Sequence, residues 1–191
     1  MDKQVPVGIS ARHIHLSPEH IEELFGAGYR LKEFKPLSQP GQFAAEEQVT
    51  IEGPKGRFDK VRILGPARGK TQIEISRTDA FQLGVNPPVR ESGNIAGTPG
   101  LRVRGPEGEI ELQEGVIVAA RHIHFHTDDA AKWGIKDKQK LRVRLSGERP
   151  LIFEDVIARV SDNYALDMHI DTDEGNAAGV KTGDTAVILD D

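Results

Sequence analysis

Apolar and polar residues alternate with period two through much of the chain. Val49-Thr50-Ile51-Glu52, Val61-Arg62-Ile63-Leu64, Leu101-Arg102-Val103-Arg104 and Leu141-Arg142-Val143-Arg144-Leu145 all read this way. Period two places one face of a strand on a core and the other in solvent. Helical spacing is confined to short stretches. Ser17-Pro18 can cap and open a turn that sets Ile21, Leu24 and Phe25 on one face. Thr127 through Gly134 follows the same plan, with Thr127 as the expected cap, acids in the first turn and Gly134 as the stop. Residues 86–100 hold three prolines and several glycines and read as a loop. Many short strands with few helices predict small closed β-barrels, which leave no sticky edges.

The pattern also repeats. Val5-Pro6-Val7-Gly8-Ile9-Ser10-Ala11-Arg12-His13-Ile14-His15 opens the chain, and Val116-Ile117-Val118-Ala119-Ala120-Arg121-His122-Ile123-His124 returns 109 positions later, from 13 to 122. Each copy runs into one of the two short helices. A second echo pairs Thr71-Gln72-Ile73-Glu74-Ile75 with Leu166-Asp167-Met168-His169-Ile170, 95 positions apart from 74 to 169. Thr78-Asp79 to Gly84-Val85 then resembles Thr172-Asp173 to Gly179-Val180. The two offsets differ by about one hairpin, which a loop accommodates. The expectation is a duplicated β unit.

Composition narrows the chemistry. A net charge of −5 and a pI near 5.8 argue against a nucleic-acid partner, which needs a basic face. A small anion is still admissible, since one arginine can hold it. Cysteine is absent, which excludes disulfides, thiolate metal sites and a cysteine nucleophile. No apolar run approaches the length of a membrane span, and the first residues carry no apolar signal core. The expected setting is the cytoplasm, with no membrane partner.

Metal chemistry enters with the histidines. Residues two apart on a strand share a face, so His13 with His15, and His122 with His124, can converge on one ion. Neutral imidazole suits zinc, and also iron, nickel or copper. Two copies in one repeated context, among 7 histidines in all, make metal binding the stronger reading over half-buried structural imidazoles. A catalytic zinc usually has three protein ligands. Glu74 and His169, equivalent under the repeat, are the candidate third ligands. Which pair each one completes is left open by spacing. His20 and His126 read as surface residues without partners, Trp133 and Met168 as core, and Arg12 and Arg121 as ion-pairing or packing residues.

At these residues the sequence resembles the PduL-type phosphotransacylases, the phosphate propanoyltransferases of propanediol utilization. The matching motifs are Val5 to Ser17, Leu64-Gly65-Pro66-Ala67-Arg68, Thr71-Gln72-Ile73-Glu74, Pro88-Val89-Arg90-Glu91-Ser92-Gly93 and Ala120-Arg121-His122-Ile123-His124, in family order over nearly the whole chain. The resemblance implies two six-stranded β-barrels with short capping helices, spanning 12–119 and 1–11 plus 120–191, because the first strand crosses over. It implies two zinc ions per chain, a homodimer, and interconversion of acyl-CoA plus phosphate with acyl phosphate plus coenzyme A. It implies crossed ligand sets: Glu74 with His122 and His124, and His169 with His13 and His15. Arg68 matches the catalytic phosphate-binding arginine. Gln72 and Ser92 match positions facing phosphate, and Lys35, Arg62, Leu64 and Asn176 match positions lining the coenzyme A channel. Family members sent into bacterial microcompartments carry an extra N-terminal amphipathic segment. Here the first strand begins almost at once, so the expectation is a cytosolic enzyme, or one encapsulated only by association. Acetyl-CoA is as admissible a substrate as propanoyl-CoA. The competing readings are a di-zinc hydrolase of thioesters or phosphoesters and a non-catalytic metal or anion module.

Overall fold

The structure is a computed structural model and describes residues 3–190. Met1, Asp2 and Asp191, which the expected domain division includes, lie outside the described residues. In chain order the elements are β1 (Lys3–Ser10), β2 (His13–His15), α1 (Pro18–Phe25), β3 (Glu33–Pro36), β4 (Phe43–Glu52), β5 (Arg57–Gly65), β6 (Gln72–Glu74), α2 (Arg77–Leu83), β7 (Val89–Arg90) and β8 (Arg102–Arg104). They continue with β9 (Glu109–Glu111), β10 (Val116–Ala119), β11 (His122–Phe125), α3 (Thr127–Trp133), β12 (Lys140–Leu145), β13 (Leu151–Val160), β14 (Asp167–Asp171), α4 (Thr172–Ala178) and β15 (Thr185–Leu189). The alternating runs are strands, and the helices are short. No helix of the described residues is long and apolar enough to cross a membrane.

The chain divides into two compact units. One holds β1, Ser38–Pro40 and the described residues from Ala120 onward. Its six strands form a closed barrel in the order β1-β14-β11-β13-β12-β15. The inward positions of these strands, among them Val5, Val7, Ile123, Phe125, Val143, Met168 and Ile188, form its core. Trp133 packs against that core and Met168 lies within it, as their sequence context indicates. Gln39 belongs to this unit and exchanges hydrogen bonds with Ala165, donating to its carbonyl at 2.9 Å and accepting from its N–H at 3.2 Å.

The other unit, Ala11–Leu37 with Gly41–Ala119, is a nine-stranded sheet ordered β7-β10-β6-β2-β5-β4-β8-β9, with β3 paired to β4. Its core gathers Ile14, Leu16, Ile51, Ile63, Ile73, Val103 and Val116. Two barrels are expected from the sequence, and one closes. Between α2 and β8 the chain carries Pro87, Pro88 and Pro99 with Gly93, Gly97 and Gly100. Proline brings no N–H to a ladder, and only the two-residue β7 forms there, along β10. The amides of Val116 and Val118 donate instead to the carbonyls of Pro99 and Pro88, at 3.0 and 3.1 Å.

The two sheets share a wiring that follows the sequence offsets. β2 is parallel to β5 with His13 beside Arg62, and β11 is parallel to β13 with His122 beside Ile157. β2 is antiparallel to β6, and β11 is antiparallel to β14. β10 joins β6 in parallel and β1 joins β14 in parallel. Thus the strand preceding each Arg-His-Ile-His belongs to the sheet of the other copy.

Of the two helix caps expected from the sequence, Ser17 is found and Thr127 is not, and α2 and α4 are additional helices. Ser17 caps α1, Ser76 and Asp171 close capping boxes on α2 and α4, and Gly84 and Gly179 end those helices at φ of 78° and 65°, where a Cβ would be strained. In α3 the cap is His126, and its ring accepts from the Asp128 N–H at 3.2 Å. Thr127 stands one position inside the helix and donates its hydroxyl to Asp162.

Candidate metal centres and active site

Register builds the first cluster. Antiparallel pairing of β2 with β6 sets His13 opposite Glu74 and His15 opposite Gln72. His13 Nδ1 bonds the Ala11 carbonyl at 2.8 Å, and His15 Nδ1 bonds the Leu64 carbonyl at 3.2 Å. Each Nδ1 therefore carries the proton, and the Nε2 atoms face inward. His13 Nε2 lies 3.4 Å from Glu74 Oε2, and His15 Nε2 lies 3.9 Å from Glu74 Oε1. Three acceptors converge in a site where the side chains are 3–11% exposed. Buried acceptors facing one another are unfavourable unless positive charge sits among them. A proton serves one contact, whereas a divalent ion serves all three.

A hydrogen-bonded chain leads away from this cluster. Glu74 Oε1 accepts from Gln72 Nε2 at 2.6 Å and from the Ser92 hydroxyl at 3.0 Å. Ser92 Oγ accepts in turn from Gln72 Nε2 at 2.8 Å and from Arg68 Nη1 at 3.0 Å. Gln72 Oε1 accepts from the Gly93 N–H at 2.7 Å. The half-buried Arg68 is held at its backbone by a bond from its N–H to the Leu16 carbonyl, 2.9 Å. Of the residues matched to a coenzyme A channel, Lys35 is exposed on β3. Arg62 Nη1 donates to the carbonyls of Ala45 and Glu46 at 2.7 and 2.9 Å, and Leu64 presents its carbonyl to His15. Asn176 lies in the other unit, exposed on α4.

The second cluster repeats the first within the barrel. β11 runs antiparallel to β14, with His122 opposite His169 and His124 opposite Asp167. His122 Nδ1 bonds the Ala120 carbonyl at 2.8 Å, as His13 does with Ala11. His122 Nε2 then stands 2.8 Å from His124 Nε2, and the His169 ring centre is 5.2 and 4.9 Å from theirs. The buried Nδ1 of His124 has no hydrogen-bond partner among the described residues. Tyr164 packs edge-on against His124 at 4.3 Å. Both trios, His13/His15/Glu74 and His122/His124/His169, bring one ligand atom per residue within 4.8 Å of the others, so each can hold a metal ion. The crossed sets implied by the resemblance are not the groupings found. Each third ligand stands directly across from the first histidine of its own sheet. What crosses is the preceding strand, β1 or β10.

Burial sets the protonation of both trios. It lowers the His15 pKa to about 3, helped by His13 and Arg68, and lowers that of His124 to about 2, helped by His122 and His169. Both rings stay unprotonated at neutral pH, as metal ligands must. Burial alone would raise the Glu74 carboxyl, but His13, His15, the Ser92 hydroxyl and Arg68 outweigh it and hold the group low. Below about 6.5 the unfolded chain protonates histidines that the fold keeps neutral, which costs up to about 1.4 kcal/mol per pH unit per ring. The Glu74 contribution adds its loss below the ordinary carboxylate range. The urea midpoint of the metal-free protein should therefore fall steadily from pH 7 to pH 4, and a flat profile would contradict this account.

The motif arginines brace the frame. Arg12 Nη2 donates to Asp79 Oδ1 at 2.7 Å and lies 4.1 Å over the Phe58 ring. Arg121 Nη1 donates to Glu174 Oε1 at 3.0 Å and lies 4.9 Å over Phe153. Asp79 and Glu174 are the capping-box acids of the helices that follow the third-ligand strands. Each arginine thus ties its histidine strand to the strand that completes the trio. Replacing Arg12 by alanine should destabilise the protein by about 1–3 kcal/mol in urea unfolding, since Asp79 is buried and water reaches the guanidinium only in part. Metal stoichiometry should be unchanged.

Three features escaped the sequence reading. His20 is half-buried and has a partner, its Nδ1 lying 2.7 Å from the Thr71 hydroxyl, and His126 is the helix cap already described. Asp167 is buried beside His169, with Oδ2 3.0 Å from Nε2. The signal for Asp167 was present, because the alternation that aims His169 at the cluster aims Asp167 there too.

Comparison with known proteins places the chain in a family. A family profile for phosphate propanoyltransferase matches residues 6–181. A phosphate propanoyltransferase of Thermotoga maritima is 56% identical over 185 residues, covering 96% of this chain and 88% of its own. One of Priestia megaterium is 54% identical over 184 residues, covering 96% of this chain and 85% of its own. One of Listeria monocytogenes is 49% identical over 183 residues, covering 96% and 86%. With the match running through both trios and Arg68, the chain belongs to the phosphate propanoyltransferase family.

Proposed function

We propose that this chain is a zinc-dependent phosphate acyltransferase that interconverts propanoyl-CoA, or acetyl-CoA, plus phosphate with the acyl phosphate plus coenzyme A. One observation carries the reading. A buried cluster of converging acceptors, which calls for a cation, is joined through the Ser92 hydroxyl to Arg68, a guanidinium suited to an anion. His13, His15 and Glu74 would hold one zinc, and His122, His124 and His169 a second. The all-nitrogen and nitrogen-carboxylate donor sets fit zinc, with room for an open position.

Zinc, when bound, supplies a Lewis-acid charge that stabilises a leaving thiolate. Arg68 grips two phosphate oxygens in its fork, which lysine does not match. Held there as a dianion, phosphate attacks the thioester carbon through one oxygen. The carbon–sulfur bond breaks, its electron pair leaves with sulfur, the proton given up by the phosphate passes to the thiolate, and acyl phosphate and coenzyme A result. Fixing phosphate near attack distance supplies much of the acceleration. Ser92 and Gln72 keep Arg68 and Glu74 in register and, in the same reading, reach the bound phosphate. Lys35, Arg62, Leu64 and Asn176 contact coenzyme A. The shared wiring of the two sheets supports descent from one duplicated six-stranded unit, divided at 12–119 and 1–11 plus 120–191. A homodimer working in the cytoplasm rests on the family resemblance.

Metal removal tests the proposal. Treatment with a strong chelator should abolish acyl transfer from propanoyl-CoA to phosphate, and zinc should restore it. Full turnover in protein confirmed free of metal would overturn the zinc-dependent reading. A series from acetyl- to butanoyl-CoA then fixes the acyl preference.

A further inference from the structure

We propose that Asp167 is a positioning residue of the three-histidine site, its carboxylate holding the His169 imidazole and supplying negative charge there. The inference rests on reading that trio as a metal site. Asp167 stands two residues before His169 on β14, so both side chains project from the same face. Asp167 Oδ2 accepts from His169 Nε2 at 3.0 Å, and its side chain is 7% exposed. Burying a carboxylate is costly unless positive charge or strong donors offset it. The neighbouring strand leaves space for the pair. Gly8 of β1 lies opposite His169, and a Cβ added there would stand 3.2 Å from Asp167 Oδ2 and 3.4 Å from His169 Cδ2.

The other trio makes the same arrangement with inverted chemistry. Gln72 stands two residues before Glu74 and donates to its carboxylate at 2.6 Å. Gln72 faces His15 across its sheet, as Asp167 faces His124. A carboxylate third ligand is held by an amide donor, and an imidazole third ligand by a carboxylate acceptor. Each site therefore has one carboxylate, a member of the trio in one and a hydrogen bond from it in the other. Carboxylate partners of this kind orient ligating imidazoles, and their loss typically weakens metal binding about 10–100-fold.

Zinc competition with a chromophoric chelator tests this on the wild type, Asp167→Asn and Asp167→Glu, together with melting of each metal-free form. The wild type should bind two zinc ions. In Asp167→Asn one dissociation constant should rise about 10–100-fold while the other holds, and Asp167→Glu, which keeps the charge, should recover part of the loss. Two unchanged constants in Asp167→Asn would overturn the assignment. So would a lower melting temperature of the metal-free variant with zinc binding intact, since that marks a purely structural pair. A wild type that binds no zinc would instead sink the metal reading, and this proposal with it.

Discussion

Replacing Arg68 by alanine is expected to cut phosphate-dependent turnover by about 10²–10³-fold, the usual scale for losing one preorganised charged donor. Arg68 Nη1 is anchored by Ser92 Oγ at 3.0 Å and its backbone by Leu16, so the guanidinium is held in place rather than swinging freely. The loss should fall on phosphate, with a raised apparent KM for phosphate and a lowered kcat, while the KM for acyl-CoA moves little. Arg68→Lys should recover charge but not the two-pronged grip, and so should remain well below the wild type. Initial rates over a phosphate series check this. Full phosphate-dependent turnover in the alanine variant would remove Arg68 from the site.

The second large effect concerns Glu74 and separates metal binding from fold stability. Glu74→Gln keeps the size of the side chain but replaces one carboxylate oxygen with an amide donor. At the position of Oε2 that donor faces His13 Nε2, 3.4 Å away. The metal-free fold then gains a partner for a converging acceptor but loses what the ionised carboxylate contributes, so its melting temperature should change little. Zinc binding should meanwhile fall from two ions per chain to one, with activity largely lost, because an amide is a poor zinc ligand. Elemental analysis after gel filtration, beside a thermal melt of the metal-free protein, reads both. Two retained zinc ions would contradict the ligand role of Glu74.

Strand alternation was legible because it is a short-range signal, whereas α2, α4 and the His126 cap were not anticipated. The runs around Val49, Val61, Leu101 and Leu141 are strands, and the six candidate ligands face where period two sends them. Pairing was not legible, because register is set between segments far apart in sequence. Nothing in the chain before folding says that His13 opposes Glu74 across β2 and β6, or that His122 opposes His169 across β11 and β14. The crossed sets differ from the groupings found at that step. Residues 86–100, expected to be loop, also hold the two-residue β7, and their effect on closure depends on which strand lacks a neighbour, again a long-range fact. The role of Gln72 as the holder of Glu74 also needed the fold, since a buried glutamine gives no sequence signal of its partner.

Counting both products in one reaction tests the central claim most directly. Zinc-loaded protein is mixed with propanoyl-CoA and phosphate, and released thiol and hydroxylamine-trapped acyl phosphate are measured together. The account predicts equal amounts of the two, and neither when phosphate is left out. Thiol released without acyl phosphate, at a rate that ignores phosphate, would mean hydrolysis and would contradict it.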